Sequence, residues 1–583
     1  MDELIERVAR LSPERREILR RLAPEQYAAL VASETADTEV EGRLKEIWSE
    51  VLGIPVDRED NYFELGGDSI LSVSIVAKAR AAGLRITPRM LFGHPTVASL
   101  AEALTRPTEE DAAAPAPAEA DLQAAPLTPL QQGMVFHSLH DAGRAAYVSQ
   151  LLCTLSTTLD RDRVAQAWTQ LMRRHVVLQA AVDLDDPLEP RQRLYPDAMP
   201  VIEYRTLEGA TPQQTQQSLD AFLQADLERE FDLAVPPLLR LTFLETAHGE
   251  FSCVWTHHHL LLDGWSQLIL LQEFQALYLG ASLPPVTTSF LDYAMWVARR
   301  DDDTAAPFWN GYLKGAVPAP LPRGGSPASA QAQARIVVRL AASDVALSAS
   351  AQRFRVSPAV ILEAAWVLAL GRMANAGDVT FGMTATVRPA DLADSERIVG
   401  LCINTLPMRI AIPGEGTVPA WLASIQSAQR DWLHHAHAAL PDVLRWGQAT
   451  KEVFDTLLVF ENLPKLTRGD AATVVLGIED IRSTVREHYP MVLVVTPGED
   501  FVAELKYMPS AIAAEQAELA MALFECAIRA LLDAPDMPAV AARLEAAAHD
   551  RVRASREHRA ADDRQRLLKA RRAPISTDIG AAS

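Results

Sequence analysis

Between Arg106 and Ala125 the apolar pattern of the chain stops. Ala, Pro and Glu fill the stretch, and nothing in it recurs at the spacing of a helix or strand face. A segment that cannot bury a face reads as a linker, stiff where Pro recurs. Stretched out, it reaches at most roughly 66 Å. It divides the 583 residues into parts that must each build a core, and a chain this long suits about two to four domains.

Ahead of the linker, residues 39–105 read as a small helical bundle. Val40, Leu44, Ile47, Trp48 and Val51 recur near a helical period and predict one amphipathic helix from Val40 to Leu52. A second is expected from Ser69 to Ala82, stopped by Gly83. A short piece from Pro88 to Leu91 and a last helix from Pro95-Thr96-Val97 to about Leu104 complete it. Residues 1–38 read as a charged helical leader or linker, with Ser12-Pro13-Glu14 offering a helix start. Beyond the linker, strands and helices alternate from Pro126 to about Ala547 with no short repeat. The runs from Arg335 to Leu340, Phe454 to Phe460 and Tyr489 to Thr496 read as strands, and Pro358 to Leu370 as a helix. So long a region suits two similar lobes, 126–285 and 286–547, better than one core. Residues 548–583 read as a charged helical tail, and the basic cluster from Arg564 to Arg572 as a solvated face or linker.

A net charge of −21 repels phosphate backbones and argues against a nucleic-acid partner. The four cysteines are far apart in sequence and form no CxxC pair, so reduced core thiols are expected. Met1 to Arg7 lacks a basic stretch followed by an apolar one, so no signal peptide is read. Runs such as Met491 to Val495 are too short to cross a bilayer. A cytoplasmic protein with no membrane partner is expected.

Two places carry chemistry. Thr256-His257-His258-His259 closes an apolar run, Phe251 to Trp255, that reads as a strand, and Leu260-Leu261-Leu262-Asp263-Gly264 follows. Neighbours on a strand face opposite sides, so His258 and His259 are expected to diverge. Asp263-Gly264 reads as a tight turn beside the imidazole. A histidine titrating near neutrality suits proton transfer. A zinc site would need further ligands, and neither Cys nor HExxH accompanies the run, so no metal is expected. A serine hydrolase would need a GxSxG elbow, which is not found. The second place is Gly66-Gly67-Asp68-Ser69-Ile70, a flexible turn with a serine opening an apolar helix. Free amides and the helix dipole favour an anionic group there, although Asp68-Ser69 would also serve as an ordinary N-cap.

The run from Asp60 to Ile70, with Phe92-Gly93-His94-Pro95-Thr96-Val97, resembles a peptidyl carrier domain. His258-His259 with Asp263-Gly264 forms HHxxxDG and resembles the signature of non-ribosomal peptide synthetase condensation domains. Pro126 to Met134, Arg174-His175-Val176-Val177-Leu178, Asp292 to Trp296, Phe308-Trp309, Val399 to Pro407 and Phe460-Glu461-Asn462 extend the resemblance. Gln179 stands where arginine is common, and Val387 where a small residue usually precedes Arg388.

The resemblance implies a multidomain protein: a small four-helix-bundle carrier domain (39–105), the linker (106–125) and an α/β condensation domain. That domain would have two chloramphenicol-acetyltransferase-like lobes in a V, N-terminal 126–285 and C-terminal 286–547. It implies that Ser69 carries a 4′-phosphopantetheine arm holding a donor aminoacyl or peptidyl thioester. The donor would be joined by an amide bond to the amine of an acceptor thioester on a downstream aminoacyl carrier domain. His259 is implied as the active histidine and His258 as structural, while His257 lies outside the pattern. Asp263 is implied to pair with an arginine of the other lobe, for which Arg388 is the candidate. Gly264 permits close backbone approach to substrate. An adenylation domain or module that loads Ser69 and a phosphopantetheinyl transferase are implied partners. Asp68 before Ser69, where many elongation carriers have histidine, resembles carriers of D-configured residues. An epimerisation domain is the nearest rival; the sequence from Asp263 to Gln267 and the segment Asn404 to Pro407 disfavour it. A dual epimerising and condensing domain would need an extra histidine motif, which is not clear from Phe136 to His140. Against an inactive recruitment platform stands the intact His258, His259, Asp263 and Gly264 set.

Overall fold

The computed structural model describes residues 39–105, with breaks that include 66, 68–70 and 87–89. It also describes residues 123–572, with breaks of which 141–145, most of 317–332 and 462–477 are the longest. Ser12-Pro13-Glu14, Gly66, Asp68, Ser69, linker residues 106–122 and Asn462 therefore lie outside the described residues.

In the small domain, helix α1 covers residues 39–52. Its Leu44, Ile47 and Trp48 meet Tyr62, Ile75, Ile86, Leu91, Val97 and Leu100 in one core. Gly83 ends the following helix at a left-handed φ of 82°, and the Leu84 N–H donates back to the Ala79 carbonyl at 2.8 Å. The last helix, α2, spans Val97–Thr105, with Thr96 Oγ1 accepting from the Ser99 N–H at 3.1 Å.

The first lobe is built on a five-stranded sheet. Its order is β12 (Ile478–Val485), β2 (Val148–Leu155), β7 (Phe251–His258), β6 (Leu239–Thr246) and β5 (Val201–Leu207). All neighbours are antiparallel except β5 and β6. The chain enters the lobe at β1 (Ala124–Pro126), which with β4 (Arg191–Leu194) and β3 (Ala180–Asp183) makes a small sheet. Helices α3 (Pro129–His140), α4 (Arg161–Arg174), α5 (Pro212–Glu228), α6 (Gly264–Tyr278) and α7 (Phe290–Ala298) belong to this part of the chain. Trp168 of α4 packs edge-on against Trp255 of β7, ring centroids 5.1 Å apart.

The second lobe holds a six-stranded sheet. Its order is β10 (Ile403–Ala411), β9 (Asp378–Thr386), β11 (Thr456–Phe460), β13 (Met491–Thr496), β14 (Asp500–Tyr507) and β8 (Ala334–Ser343). Helix α8 (Pro358–Ala374) is buried along nearly its whole length, as its apolar sequence requires. Ser357 caps it, Pro358 opens it, and Asn375 closes it in the left-handed region. Helices α9 (Val418–His434), α10 (Ala514–Asp533) and α11 (Met537–Arg572) also belong to the lobe. Among the described residues no single helix is long and apolar enough to cross a membrane.

Several expectations need correction. Ala124 and Ala125 belong to β1 rather than the linker, because they pair with Arg193 and Gln192. Asp263-Gly264 is no tight turn: Asp263 is the N-cap of α6. The charged tail is continuous with the body, since α11 starts at Met537 and runs through 548. Cys153 and Cys253, distant in sequence, are direct partners across β2 and β7 and remain free thiols. Neither lobe is one continuous piece of chain. β12, from the later half, closes the first sheet beside β2, and Ile398, Val399, Leu401 and Cys402 lie in the first lobe's core.

Candidate active site

The histidine run sits where β7 meets the interface of the lobes. β7 ends at His258, and His259 opens a short 3-10 turn, His259–Leu261. Strand alternation therefore does not govern the pair. His257 is fully buried and His258 2% exposed, whereas His259 is only partly buried.

Hydrogen bonds separate the three rings further. His259 Nδ1 lies 2.9 Å from the Leu262 carbonyl. A carbonyl only accepts, so Nδ1 carries the proton and Nε2 of the neutral ring keeps a lone pair. The His259 N–H donates to the Tyr147 carbonyl at 2.7 Å, fixing the backbone as well. His258 has the opposite tautomer: Nδ1 accepts the Leu260 N–H at 3.2 Å, leaving Nε2 to donate to Ser138 Oγ at 3.1 Å. Burial, and secondarily the neighbouring His259, hold the His258 pKa down at about 3. Burial likewise keeps His257 well below the ordinary imidazole range. At neutral pH both inner rings are uncharged.

Asp263 does not reach His259. Its carboxylate accepts from Ser266 N–H at 2.7 Å, Ser266 Oγ at 2.6 Å and Cys402 N–H at 3.0 Å. Arg388 Nη2 donates to both of its oxygens, at 3.1 and 3.0 Å. The Arg388 and Asp263 side chains are 1% and 2% exposed, and Arg388 Nη1 also donates to the Ser395 and Ile398 carbonyls at 3.0 and 2.7 Å. Val387 before Arg388 is accommodated, its N–H donating to the Cys402 carbonyl at 2.7 Å. Gly264 starts α6 directly after this junction. The tip between β9 and β10 is thus bonded into the first lobe, and Trp265 adds an indole N–H to the Glu396 carbonyl at 2.8 Å.

The surrounding motifs acquire physical roles. Arg174 Nε donates to Glu273 at 2.9 Å, and His175 Nε2 lies 2.6 Å from the same carboxylate, tying α4 to α6. Gln179 reaches the Pro196 carbonyl at 2.7 Å. Asn404 Nδ2 spans the Ala436 and Ala438 carbonyls, both at 2.8 Å. Sequence reasoning missed Glu273, Ser138, Tyr147 and His488. His488 Nδ1 lies 2.5 Å from Tyr147 Oη. No motif in the sequence signalled His488.

Around Ser69 only the flanks are described. Gly67 lies against the ring of Tyr62, which any Cβ at that position would strike, and its N–H donates to the Tyr62 carbonyl at 2.9 Å. Only glycine fits so close an approach. The backbone is thus pinned at Gly67, at the edge of the described residues.

Comparison with known proteins bears on the family and the fold. The profile of the Condensation domain family matches residues 122–549, and that of the Phosphopantetheine attachment site matches residues 42–104. A linear gramicidin synthase from Brevibacillus parabrevis is 35% identical over 393 residues, 65% of this chain and 8% of that protein. Bacitracin synthase 3 of Bacillus licheniformis is 27% identical over 400 residues, 66% of this chain and 6% of that protein. The chain therefore spans a small part of these relatives. The condensation domain from the Monacolin K polyketide synthase MokA superposes with a TM-score of 0.61 at 17% identity, over 71% of this chain and 99% of that one. The first condensation domain of the calcium-dependent antibiotic synthetase gives 0.60 at 16%, over 71% and 98%. The α/β two-lobe fold is the one these structures share. With the carrier profile ahead of it and the HHxxxDG residues assembled at the lobe junction, the chain belongs to the condensation-domain family of non-ribosomal peptide synthetases, as a carrier–condensation didomain.

Proposed function

We propose that this didomain forms an amide bond between a donor aminoacyl or peptidyl group held at Ser69 and the amine of an acceptor on a downstream carrier domain. The reading rests above all on His259: a partly accessible imidazole whose Nδ1 is committed to Leu262, leaving the Nε2 lone pair for substrate. An amine becoming an amide must lose a proton. His259 Nε2 either takes it or holds the amine in position by accepting its N–H. Asp263 and Arg388 are positioning residues that keep the lobes, and hence His259, in register, because the Asp263 carboxylate is already filled by other donors. His258 supports the turn by bonding to Ser138 and Leu260. When attached, the phosphopantetheine arm supplies the thiol that carries the donor as a thioester. Its attachment to Ser69 by a phosphopantetheinyl transferase, and loading by an adenylation domain or module, belong to the same reading. Asp68 before Ser69 supports a D-configured donor.

The test is intact-protein mass. The chain is treated with a promiscuous phosphopantetheinyl transferase and an aminoacyl-coenzyme A, then with an aminoacyl-loaded acceptor carrier. Mass gain that Ser69→Ala abolishes, followed by transfer that His259→Ala abolishes, is the expected result. Loading without transfer, but with deuterium exchange at Cα, would replace this reading with epimerisation. Loading with neither would leave a recruitment platform.

A further inference from the structure

The chain passes from the first sheet to the second by a segment between β12 and β13, of which residues 486 and 488–490 are described. At its start the ladder with β2 continues: the Tyr147 N–H donates to the Arg486 carbonyl at 3.0 Å, and the Arg486 N–H to the Val148 carbonyl at 3.3 Å. His488 follows. Its Nδ1 lies 2.5 Å from Tyr147 Oη, and His137 of α3 stacks on its ring at 4.2 Å between centroids. The next residue, Tyr489, stacks on Phe454 ahead of β11, centroids 5.6 Å apart. The crossing segment is therefore gripped by the first lobe at His488 and by the second at Tyr489.

Tyr147 is the other half of this contact and is special in two ways. It is 3% exposed with a left-handed φ of 60°, a conformation that a bulky residue adopts only when its surroundings impose it. Its carbonyl takes the His259 N–H. One residue thus joins the crossing segment, through its hydroxyl, to His259, through its carbonyl. Burial, and secondarily His137, hold the His488 pKa down at about 3. At neutral pH the His488 ring in this contact is therefore uncharged.

We propose that Tyr147 and His488 form a clasp between the crossing segment and the first lobe that sets the position of His259, making both positioning residues for amide formation. The proposal rests on the amide-forming reading above. The clasp lets the angle between the lobes bear on His259 directly, without passing through Asp263 and Arg388.

Two readouts on the full, loaded chain test it. The first is kinetic: Tyr147→Phe removes one hydroxyl and keeps ring and carbonyl, and His488→Gln is the partner variant. Each is expected to lower kcat for transfer about tenfold with the acceptor KM changed less than twofold. The double variant is expected to lose no more than the worse single one, because one bond is removed in all three. The second is the ring carbon resonance of His259 in histidine-labelled protein, assigned by its loss in His259→Ala; it should shift in both single variants. An unmoved resonance in Tyr147→Phe overturns the clasp, whether or not the wild type makes amide. A shifted resonance with unchanged kcat overturns its part in catalysis. A shifted resonance in a chain that makes no amide keeps the clasp and removes the amide-forming reading instead.

Discussion

Asp263 shows how one carboxylate ties distant stretches of chain together. Ser266, Arg388 and the Cys402 N–H all donate to its two oxygens at once, and the residue is 1% exposed. Removing one partner of a buried charged pair leaves the other uncompensated. Asp263→Ala is therefore expected to cost about 3–5 kcal/mol in urea unfolding, with Arg388→Ala similar and the pair of changes far from additive. His259→Ala should behave oppositely: an unfolding midpoint close to wild type, and a transfer rate lower by about 100-fold or more. The residues needed for these statements were legible, since HHxxxDG stands out in the sequence and the family resemblance offered Arg388 as the candidate partner of Asp263. Their arrangement was not. Which imidazole is accessible depends on β7 stopping at His258, a boundary that alternation along a strand cannot supply. Partners such as Glu273 for His175, or His488 for Tyr147, lie 98 and 341 residues apart in sequence, and no local pattern joins them.

Helix α8 was readable because it is apolar all round, yet it carries one carboxyl. Glu363 is 2% exposed; one oxygen accepts from Gln429 Nε2 of α9 at 2.6 Å, and the other has no partner among the described residues. Burial pushes its pKa up to about 8. The fold thus binds this proton more tightly than the unfolded chain does. Stability from it is complete below the ordinary carboxylate pKa and is lost as pH rises through about 8. Glu363→Gln should remove that slope: the two proteins differ little near pH 4, and the variant becomes relatively more stable by roughly 4–5 kcal/mol at pH 8. Unfolding midpoints across that range read it directly, and equal slopes would contradict it. Strands β8, β11 and β13 were readable from their β-branched residues. β12 was not, because its register against β2 shifts between Ile478 and Asp480, and a bulge breaks the alternation that reveals a half-buried strand.

At the scale of the molecule, the sequence divides at the break in pattern of the linker, and the two family profiles match residues 42–104 and 122–549. Its length carries a prediction: deleting residues 110–119 should leave the mass gain at Ser69 unchanged while lowering transfer to the acceptor about tenfold or more. A tether that cannot span its sites has almost no effective concentration, and a Gly/Ser replacement of equal length should restore transfer. The division into lobes was less legible, because sequence halves and spatial halves differ. The closing of the first sheet by β12 has a consequence for how the protein is made. While the ribosome is still translating the stretch between β7 and β12, the free edge of β2 waits with its amides and carbonyls unmatched. At roughly 5–20 residues per second that wait lasts ten seconds or more. Nascent chains stalled before residue 478 should be the ones that trigger factors and other holding chaperones retain.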